Sequence, residues 1–211
     1  MDCLLSGESD GEKDFAMRYF RMFATALALA LAGMWGGPGA AQSGGDAAAE
    51  CRRLAGEPEA GAPVSREALN ARFRALGKAR THCEVAVIGP DPDREALFHL
   101  AVIMQREGVH ERALEIFSMA AEAGLAAAHT KLGDYYNFGI GPVAEDHGRA
   151  VREYRKAAES GDAPAKSTLA VMHQIGRGVP QDVERTLTLL QESAEAGYHF
   201  AQYRLAEIYM N

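Results

Sequence analysis

Seven histidines and two pairs of glutamates are the side chains best suited to proton transfer in this chain. Glu111 with Glu115 and Glu153 with Glu159 lie on predicted helical surfaces, where carboxylates are more often solvated than paired as a general acid and base. No serine occupies a G-x-S-x-G elbow, and the G-x-G pairs lack the strand and third glycine that phosphate binding requires. The histidines are scattered one to a helix or loop, at His82, His99, His110, His129, His147, His173 and His199. We therefore predict no catalytic residues and no enzymatic activity.

The N-terminal segment has the pattern of a secretory signal peptide. Met17 begins a positively charged MRYFR stretch, an apolar run extends from Met22 to Trp35, and small residues lead to a cleavage site after Ala41. A transmembrane anchor is the alternative, but the run is shorter than the roughly 20 residues that a span needs and is interrupted by glycines. Residues 1–16 are acidic and polar, so we interpret Met17 as the true start. The pattern predicts a periplasmic protein with no integral membrane span after signal cleavage.

Removal of residues 1–41 also removes Cys3 and leaves two cysteines, Cys51 and Cys83. An even number of cysteines in an exported protein favours one disulfide. The bond would join two short helical patterns and close a loop whose entropy is worth about 3 to 4 kcal/mol. Two buried free thiols are the alternative. His82 beside Cys83 lacks the paired spacing of zinc ligands, and we predict neither a metal nor a cofactor.

A unit of about 36 residues recurs through the C-terminal half of the chain, which is typical of a stacked solenoid. Small residues let two helices of a unit approach closely, and larger apolar residues fill the space between units. Gly139 and Gly141 permit a tight connection after a helix, and Asp162 or Asp182 suits the positive end of the next helix. The period is marked by Gly124, Gly161 and Gly197. The pattern predicts an all-α fold with an antiparallel helix pair in each repeat.

The unit from Ala126 to Gly161 resembles the Sel1-like repeat, a relative of the tetratricopeptide repeat (TPR). The family pattern is A-x-A-x-x-x-L-G-x-x-Y, a G-x-G loop, Asp, Ala and a Y-x-K-A-A-E-x-G ending. The matching residues are Ala126, Ala128, Leu132, Gly133, Tyr136, Gly139, Gly141, Asp146, Ala150, Tyr154, Lys156, Ala157, Ala158 and Gly161. The next unit departs from the pattern at Ala170, His173 and Thr186. The resemblance implies a right-handed α-solenoid, Sel1-like or TPR-like, in which a short fourth unit acts as a cap.

Composition and resemblance together divide the chain into four segments. In the third of these, one helical pattern ends at Gly77 and a second contains Cys83. The segments are an upstream extension and signal peptide at 1–41, a flexible segment with a short helix at 42–64, a disulfide-stapled helical cap at 65–92, and the Sel1-like repeats at 93–211.

The resemblance implies a periplasmic adaptor or regulator that binds an envelope protein or peptide through the concave surface of its repeats. The alternative is a cell-wall-associated enzyme or a protein that binds small ligands such as β-lactams, as cysteine-rich Sel1-like proteins imply. Those proteins carry a cysteine pair inside each repeat, whereas the cysteines of this chain lie outside its repeats. The formal net charge of −7, with both signs interspersed, argues against a nucleic-acid partner.

Helical periodicity predicts which residues line the concave surface. Because Leu132 and Leu169 should point into the core, residues on the other side of each first helix should face the partner. Among them, Val171 and Tyr203 have the apolar or aromatic character of interface anchors. The predicted protein-binding residues are Thr130, Asp134, Asn137, Ser167, Val171, Gln174, Tyr203 and Glu207.

Overall fold

The computed structural model describes residues 39–56 and 65–210, and every regular element in these two ranges is an α-helix. The predicted signal segment before residue 39, Cys3 and the loop at 57–64 lie outside the described residues. In chain order the helices are α1 (Gly39–Ala55), α2 (Arg66–Ala86), α3 (Arg94–Arg106), α4 (His110–Glu122), α5 (Ala126–Phe138), α6 (His147–Glu159), α7 (Ala163–Ile175), α8 (Val183–Glu195) and α9 (His199–Met210).

Consecutive helices pack against each other from α2 to α9, and the packing is most extensive within the pairs α3/α4, α5/α6 and α7/α8. Each pair is one repeat, so the predicted all-α solenoid of helix pairs is confirmed. The first helices of the repeats are α3, α5, α7 and α9, and the second helices are α4, α6 and α8. Large side chains that are almost fully buried between these helices include Phe117, Tyr135, Tyr154 and Leu190.

The helix ends follow the predicted chemistry. The side chains of Asp146 and Asp182 accept hydrogen bonds from the backbone N–H three residues later and so cap α6 and α8. Gly139 and Gly176 end α5 and α7 with φ angles of 59° and 72°, a left-handed conformation that favours glycine. The first glycine of each G-x-G loop is therefore a helix cap.

The second glycine of each G-x-G loop touches the preceding repeat. A Cβ atom added to Gly178 would lie 2.7 Å from the carbonyl oxygen of His147, the first residue of α6. A Cβ atom added to Gly141 would overlap the side chain of His110, the first residue of α4. The first two repeat junctions are thus each formed by a glycine that packs on the start of the previous second helix. A larger residue at either position has no room unless the neighbouring repeat moves.

A glycine within α5 also has a packing role. A Cβ atom on Gly133 would lie 2.6 Å from ring carbons of Tyr154, which packs directly on this glycine. In the next repeat the equivalent positions are occupied by Ala170 and Leu190, and both side chains are buried in one apolar cluster. In the third repeat, Ala170 on the first helix is larger than Gly133, and Leu190 on the second helix is correspondingly narrower than Tyr154.

Gly133→Ala should lower the free energy of unfolding by about 1 to 3 kcal/mol, the usual cost of overpacking a core. The double variant Gly133→Ala/Tyr154→Leu copies the pair in the third repeat and should lose at least about 1 kcal/mol less than the sum of the single variants. Urea denaturation of the four proteins measures this coupling. Gly77→Ala is the control, since a Cβ atom on Gly77 meets nothing within 4 Å and should stabilise α2 by up to about 1 kcal/mol. Additive effects would contradict the proposed pairing.

The disulfide that the sequence predicts is present between Cys51 of α1 and Cys83 of α2, with Cα atoms 4.9 Å apart. Both cysteine side chains are fully buried. A second link runs from α1 to the start of α3, because Arg52 Nη1 donates to Asp93 Oδ2 at 2.7 Å and Arg52 Nε lies 3.5 Å from Glu95 Oε2. The covalent bond and the ion pairs together hold α1 against the repeats.

Two details of the N-terminal region differ from expectation. The helical pattern that was expected to end at Gly77 continues to Ala86 as one helix, because an internal glycine weakens a helix by only about 1 kcal/mol. Similarly, α1 begins at Gly39 and includes residues expected to be flexible, and its Ala47 and Ala48 are buried beside the disulfide. Tertiary contacts thus stabilise a helix of weak intrinsic propensity. Among the described helices, none combines the length and the apolar character needed to cross a membrane.

Candidate functional site

Two of the eight residues predicted to line the partner-binding surface do not reach a surface. Asn137 is 5% exposed and Ser167 is 1% exposed. Both side chains are buried, and the Asn137 side chain forms a hydrogen bond with the Tyr154 phenol of its own repeat. The expectation that they line the surface is therefore wrong. For the other six residues, the protein-binding role stays a prediction.

Two more of the predicted residues are used in contacts between repeats. Thr130 Oγ1 of α5 donates to Asp162 Oδ2 at the start of α7, at 2.7 Å. In the next repeat, Arg204 Nη2 of α9 donates to Gln174 Oε1 of α7, also at 2.7 Å. These hydrogen bonds join successive first helices. Thr130 and Gln174 therefore stabilise the stack of repeats.

Ser167 is the equivalent of Thr130, and its hydroxyl has no hydrogen-bond partner among the described residues. The reason lies at the next helix start, where Tyr198 replaces the aspartate found at Asp162. A tyrosine at this position packs against the apolar cluster but offers no carboxylate to the serine. The junction between the third repeat and α9 thus lacks the hydrogen bond that Thr130 and Asp162 form between the second and third repeats.

Asp134 is partly exposed and belongs to a polar contact within the second repeat. Tyr154 OH donates to Asp134 Oδ1 at 2.8 Å. Burial, together with the negative charge of Asp134, raises the pKa of the Tyr154 phenol, so the phenol stays a neutral donor. Lys131 Nζ lies 3.6 Å from the other carboxylate oxygen of Asp134. The Asp134 carboxylate lies partly exposed at the edge of the core, so its oxygens can accept further hydrogen bonds from solvent.

Six residues at corresponding positions of α5 and α7 are partly or fully exposed, and we call them the first-helix stripe. Its most exposed members are Phe138, 62% exposed, and Ile175, 55% exposed. These two apolar residues hold the same position in successive repeats, immediately before the glycine cap. The stripe consists of Lys131, Asp134 and Phe138 on α5 and Thr168, Val171 and Ile175 on α7, at i, i+3 and i+7 spacing.

Sequence reasoning identified Asp134 and Val171 in this stripe but missed Phe138 and Ile175. The available signal was a large apolar residue directly before the first glycine of both G-x-G loops. Tyr203 of α9 is also highly exposed, since no further repeat follows α9 among the described residues. Glu207, the last predicted member, forms an ion pair with Arg204.

The acidic pairs considered for catalysis are not assembled into an acid and a base. Glu115 pairs with Arg112 at 2.8 Å on the surface of α4. Glu153 accepts hydrogen bonds from His129 Nδ1 at 2.7 Å and from Lys156 Nζ at 2.9 Å. Burial alone would raise the pKa of Glu153, but these two hydrogen bonds outweigh burial and hold the pKa below its ordinary value. Glu153 is therefore ionised and serves as a structural anion.

Comparison with known sequences assigns the repeats to a family. The family profile described as the Sel1 repeat matches residues 94–125, 126–162, 164–198 and 199–211, slightly more than half of the chain. An uncharacterized Sel1-like repeat-containing protein of Schizosaccharomyces pombe is 33% identical over 109 residues, which are 51% of this chain and 16% of that protein. The ERAD-associated E3 ubiquitin-protein ligase component HRD3A of Arabidopsis thaliana is 33% identical over 87 residues, which are 41% of this chain and 13% of HRD3A.

A solved structure gives the same result. The crystal structure of a Sel1 repeat protein from Oxalobacter formigenes has a TM-score of 0.54 to this chain at 28% sequence identity, and the match covers 66% of this chain and 53% of that chain. The matched part of this chain spans only 16% and 13% of the lengths of these two curated relatives. The four profile matches coincide with α3/α4, α5/α6, α7/α8 and α9. Sequence profile and helix pairs agree along the whole repeat region, and the chain belongs to the Sel1 repeat family.

Proposed function

We propose that this chain is a periplasmic adaptor or regulator that binds a segment of an envelope protein along the first-helix stripe. Sel1 repeats form protein–protein interaction modules, and one relative, HRD3A, is by its name a component of a larger ligase. The observation that carries the proposal is the pair Phe138 and Ile175, two exposed apolar side chains at the same position of successive repeats. Exposed apolar residues in a polar row are the usual anchors of an interface.

The chemistry of the stripe indicates the kind of segment that it binds. Val171 lies between Thr168 and Ile175 on α7 and extends the apolar character of that helix. On α5, the Lys131–Asp134 pair lies beside Phe138 and offers both a donor and an acceptor. A bound segment would therefore place apolar side chains against Phe138 and Ile175 and polar groups against α5. The backbone of an extended segment can supply these polar groups, since its C=O groups accept hydrogen bonds from Lys131 and its N–H groups donate to Asp134.

The alternative reading, a cell-wall-associated enzyme or β-lactam-like ligand site, finds no specific support in this arrangement. The disulfide joins α1 to α2 and no repeat contains a cysteine. Of the four glutamates considered for acid–base chemistry, Glu115 is paired with Arg112 and Glu153 with Lys156. The proposal therefore stays with a protein partner.

Variants of the stripe test the proposal. The chain is expressed with a C-terminal tag in a Gram-negative host, and proteins captured from the envelope fraction are identified and purified. Phe138→Asp and Ile175→Asp should each weaken binding of the purified partner by at least about tenfold, the effect expected of an interface anchor. Val183→Asp is the matched control, since Val183 is also exposed but lies at the start of α8, away from the stripe. Equal binding by all three variants would place the interface elsewhere.

The same preparation tests the periplasmic location. The proposal predicts a protein in the periplasmic fraction whose first residue lies near Gln42, as N-terminal sequencing would show. The predicted cleavage point after Ala41 falls in the first turn of α1. A cytoplasmic protein that begins at Met1 or Met17 would contradict the export part of the proposal and leave the interaction part to the binding assay.

A further inference from the structure

The last helix of the described chain, α9, exposes an apolar face. In the described residues eleven large apolar or aromatic side chains are exposed, and four of them lie on this helix of 12 residues: Phe200, Tyr203, Tyr209 and Met210. Their exposed fractions range from 48% to 79%. A terminal unit that caps a solenoid has a polar outer face, and α9 lacks such a face. A concentration of exposed apolar side chains marks an interaction surface.

The preceding repeats show that this side of a first helix is normally buried. On α9 it is marked by Tyr203, Ala206 and Met210, at i, i+3 and i+7 spacing, and all three are exposed. The buried equivalents are Gly133 and Asn137 on α5 and Ser167 and Ala170 on α7. In the second repeat the second helix packs over this side, since Tyr154 contacts both Gly133 and Asn137. Among the described residues no second helix follows α9, so its equivalent side is uncovered.

The uncovered face of α9 is free of like-charge repulsion against a copy of itself. None of the exposed residues of α9 is Asp, Glu, Lys or Arg. Glu207 lies at the edge of the face and is paired with Arg204 at 2.6 Å. Because the whole chain has a formal net charge of −7, two copies repel each other, and contact between them is favoured where both surfaces are uncharged.

The opposite end of the repeats offers α9 no equivalent surface. There α2 packs on α3, and α1 is joined to α2 by the disulfide between Cys51 and Cys83. Arg52 also ties α1 to the start of α3. The N-terminal end of the stack is therefore covered, which disfavours head-to-tail stacking of one copy on another. Contact of α9 with α9 is isologous, so it closes as a dimer and does not continue into a filament.

We propose that α9 is a dimerisation surface, on which two copies of this chain pack α9 against α9 in antiparallel orientation around a two-fold axis. Ala206 lies at the axis, where its small side chain lets the two helices approach closely. Tyr203 and Tyr209 lie three residues before and three residues after Ala206. The antiparallel arrangement therefore brings Tyr203 of one copy against Tyr209 of the other, twice in the dimer, and aromatic pairs of this kind are favourable.

The exposed area of α9 is sufficient for a specific contact. A large aromatic side chain has about 150 to 250 Å² to bury, so four large side chains that are about half to four-fifths exposed offer about 500 Å² per copy. Two copies would remove about 1,000 Å² from water, which is at the lower end of specific interfaces. The inference goes beyond the proposed function, because the first-helix stripe lies on α5 and α7 and binds a different protein.

Sedimentation velocity of the untagged chain tests the proposal, since a C-terminal tag would lie beside α9. The wild type should form a dimer whose fraction rises with concentration. Tyr203→Asp removes an aromatic side chain from each copy and introduces two like charges, so it should raise the dissociation constant of the dimer at least about tenfold. Ile175→Asp is the matched control, an exposed apolar residue of the stripe, and should leave this constant unchanged. A wild type that stays monomeric, or equal constants for all three proteins, would overturn the proposal.

A disulfide trap tests the arrangement at the axis. Ala206→Cys places a thiol beside the same thiol of the second copy, within the Cα separation of about 4.4 to 6.8 Å that a disulfide requires. Oxidation with diamide, which takes up the two thiol hydrogens, should yield a covalent dimer on a non-reducing gel. Ser160→Cys is the control, since Ser160 is also exposed but follows α6, and should remain monomeric. A dimer that is not trapped at Ala206 would contradict the contact between α9 helices.

The stripe variants separate this result from the proposed function. Phe138→Asp and Ile175→Asp should lose the envelope partner and still dimerise as the wild type does. If the wild type is monomeric and Tyr203→Asp weakens binding of the envelope partner, α9 belongs to that partner and the dimer is excluded.

Discussion

Replacing both Cys51 and Cys83 by serine is expected to lower the free energy of unfolding by about 3 to 4 kcal/mol. The two cysteines are separated by 32 residues, and the entropy of closing a loop of this length in the unfolded chain gives that magnitude. The loss is a substantial fraction of the total stability of an ordinary domain, which is about 5 to 15 kcal/mol. Urea denaturation of the double variant and the wild type measures the difference.

Reduced wild-type protein is the direct comparison, since it keeps both cysteines and loses only the covalent bond. It should unfold at the same urea concentration as the double serine variant, and the oxidised folded protein should show no titratable thiol from Cys51 or Cys83. Arg52→Ala removes the ion pair between α1 and Asp93 without touching the disulfide. Because this pair is partly exposed, its loss should cost less than about 1 kcal/mol. Equal stability of the oxidised and reduced proteins would show that the bond does not stabilise the fold.

Gly178→Ala is expected to lower the free energy of unfolding by about 2 to 5 kcal/mol. Gly178 has a φ angle of 71°, and a residue with a side chain costs about 1 to 2 kcal/mol in this conformation. Its added Cβ atom would lie 2.7 Å from the His147 carbonyl oxygen and 2.8 Å from the carbonyl carbon. These are backbone atoms of α6 that cannot rotate away, so the junction must open, with the further cost of overpacking of about 1 to 3 kcal/mol.

Gly197→Ala separates the two causes. Gly197 has a similar φ angle of 85°, but an added Cβ atom meets nothing within 4 Å. This variant should therefore lose only the backbone contribution. The difference between the two variants in urea denaturation measures the contact between repeats. If both variants lose the same free energy, the close approach of Gly178 to His147 contributes nothing to stability.

The repeat architecture could be predicted from sequence because its signals are local. Gly139 and Gly176 end helices, Asp146 and Asp182 begin them, and the period of these residues gives the number of units. The disulfide was also predictable, since Cys3 lies in the segment predicted to be removed and only one pairing is then open to Cys51 and Cys83. Gly77 was misleading because an isolated glycine does not stop a helix that tertiary contacts support.

The surface could be predicted only in part. A core position such as Leu132 is evident from its apolar character, but sequence does not show which of the other sides of the helix meets the next repeat. Thr130 and Gln174 are polar and look solvent-facing, yet they bond to the following first helix. His173 departs from the repeat pattern, and its neighbours Arg185 and Leu189 come near it only in the folded chain.

The seating of Gly141 on His110 and of Gly178 on His147 bears on how such a chain changes in length over evolution. Each of these interfaces consists of a loop glycine from one unit and the helix start of the unit before it. A unit that is duplicated as a whole carries both parts, a glycine that contacts the unit before it and a helix start that the unit after it contacts. Gene duplication can therefore insert a complete unit and regenerate both contacts at once. Insertion of a partial unit leaves one half without its counterpart.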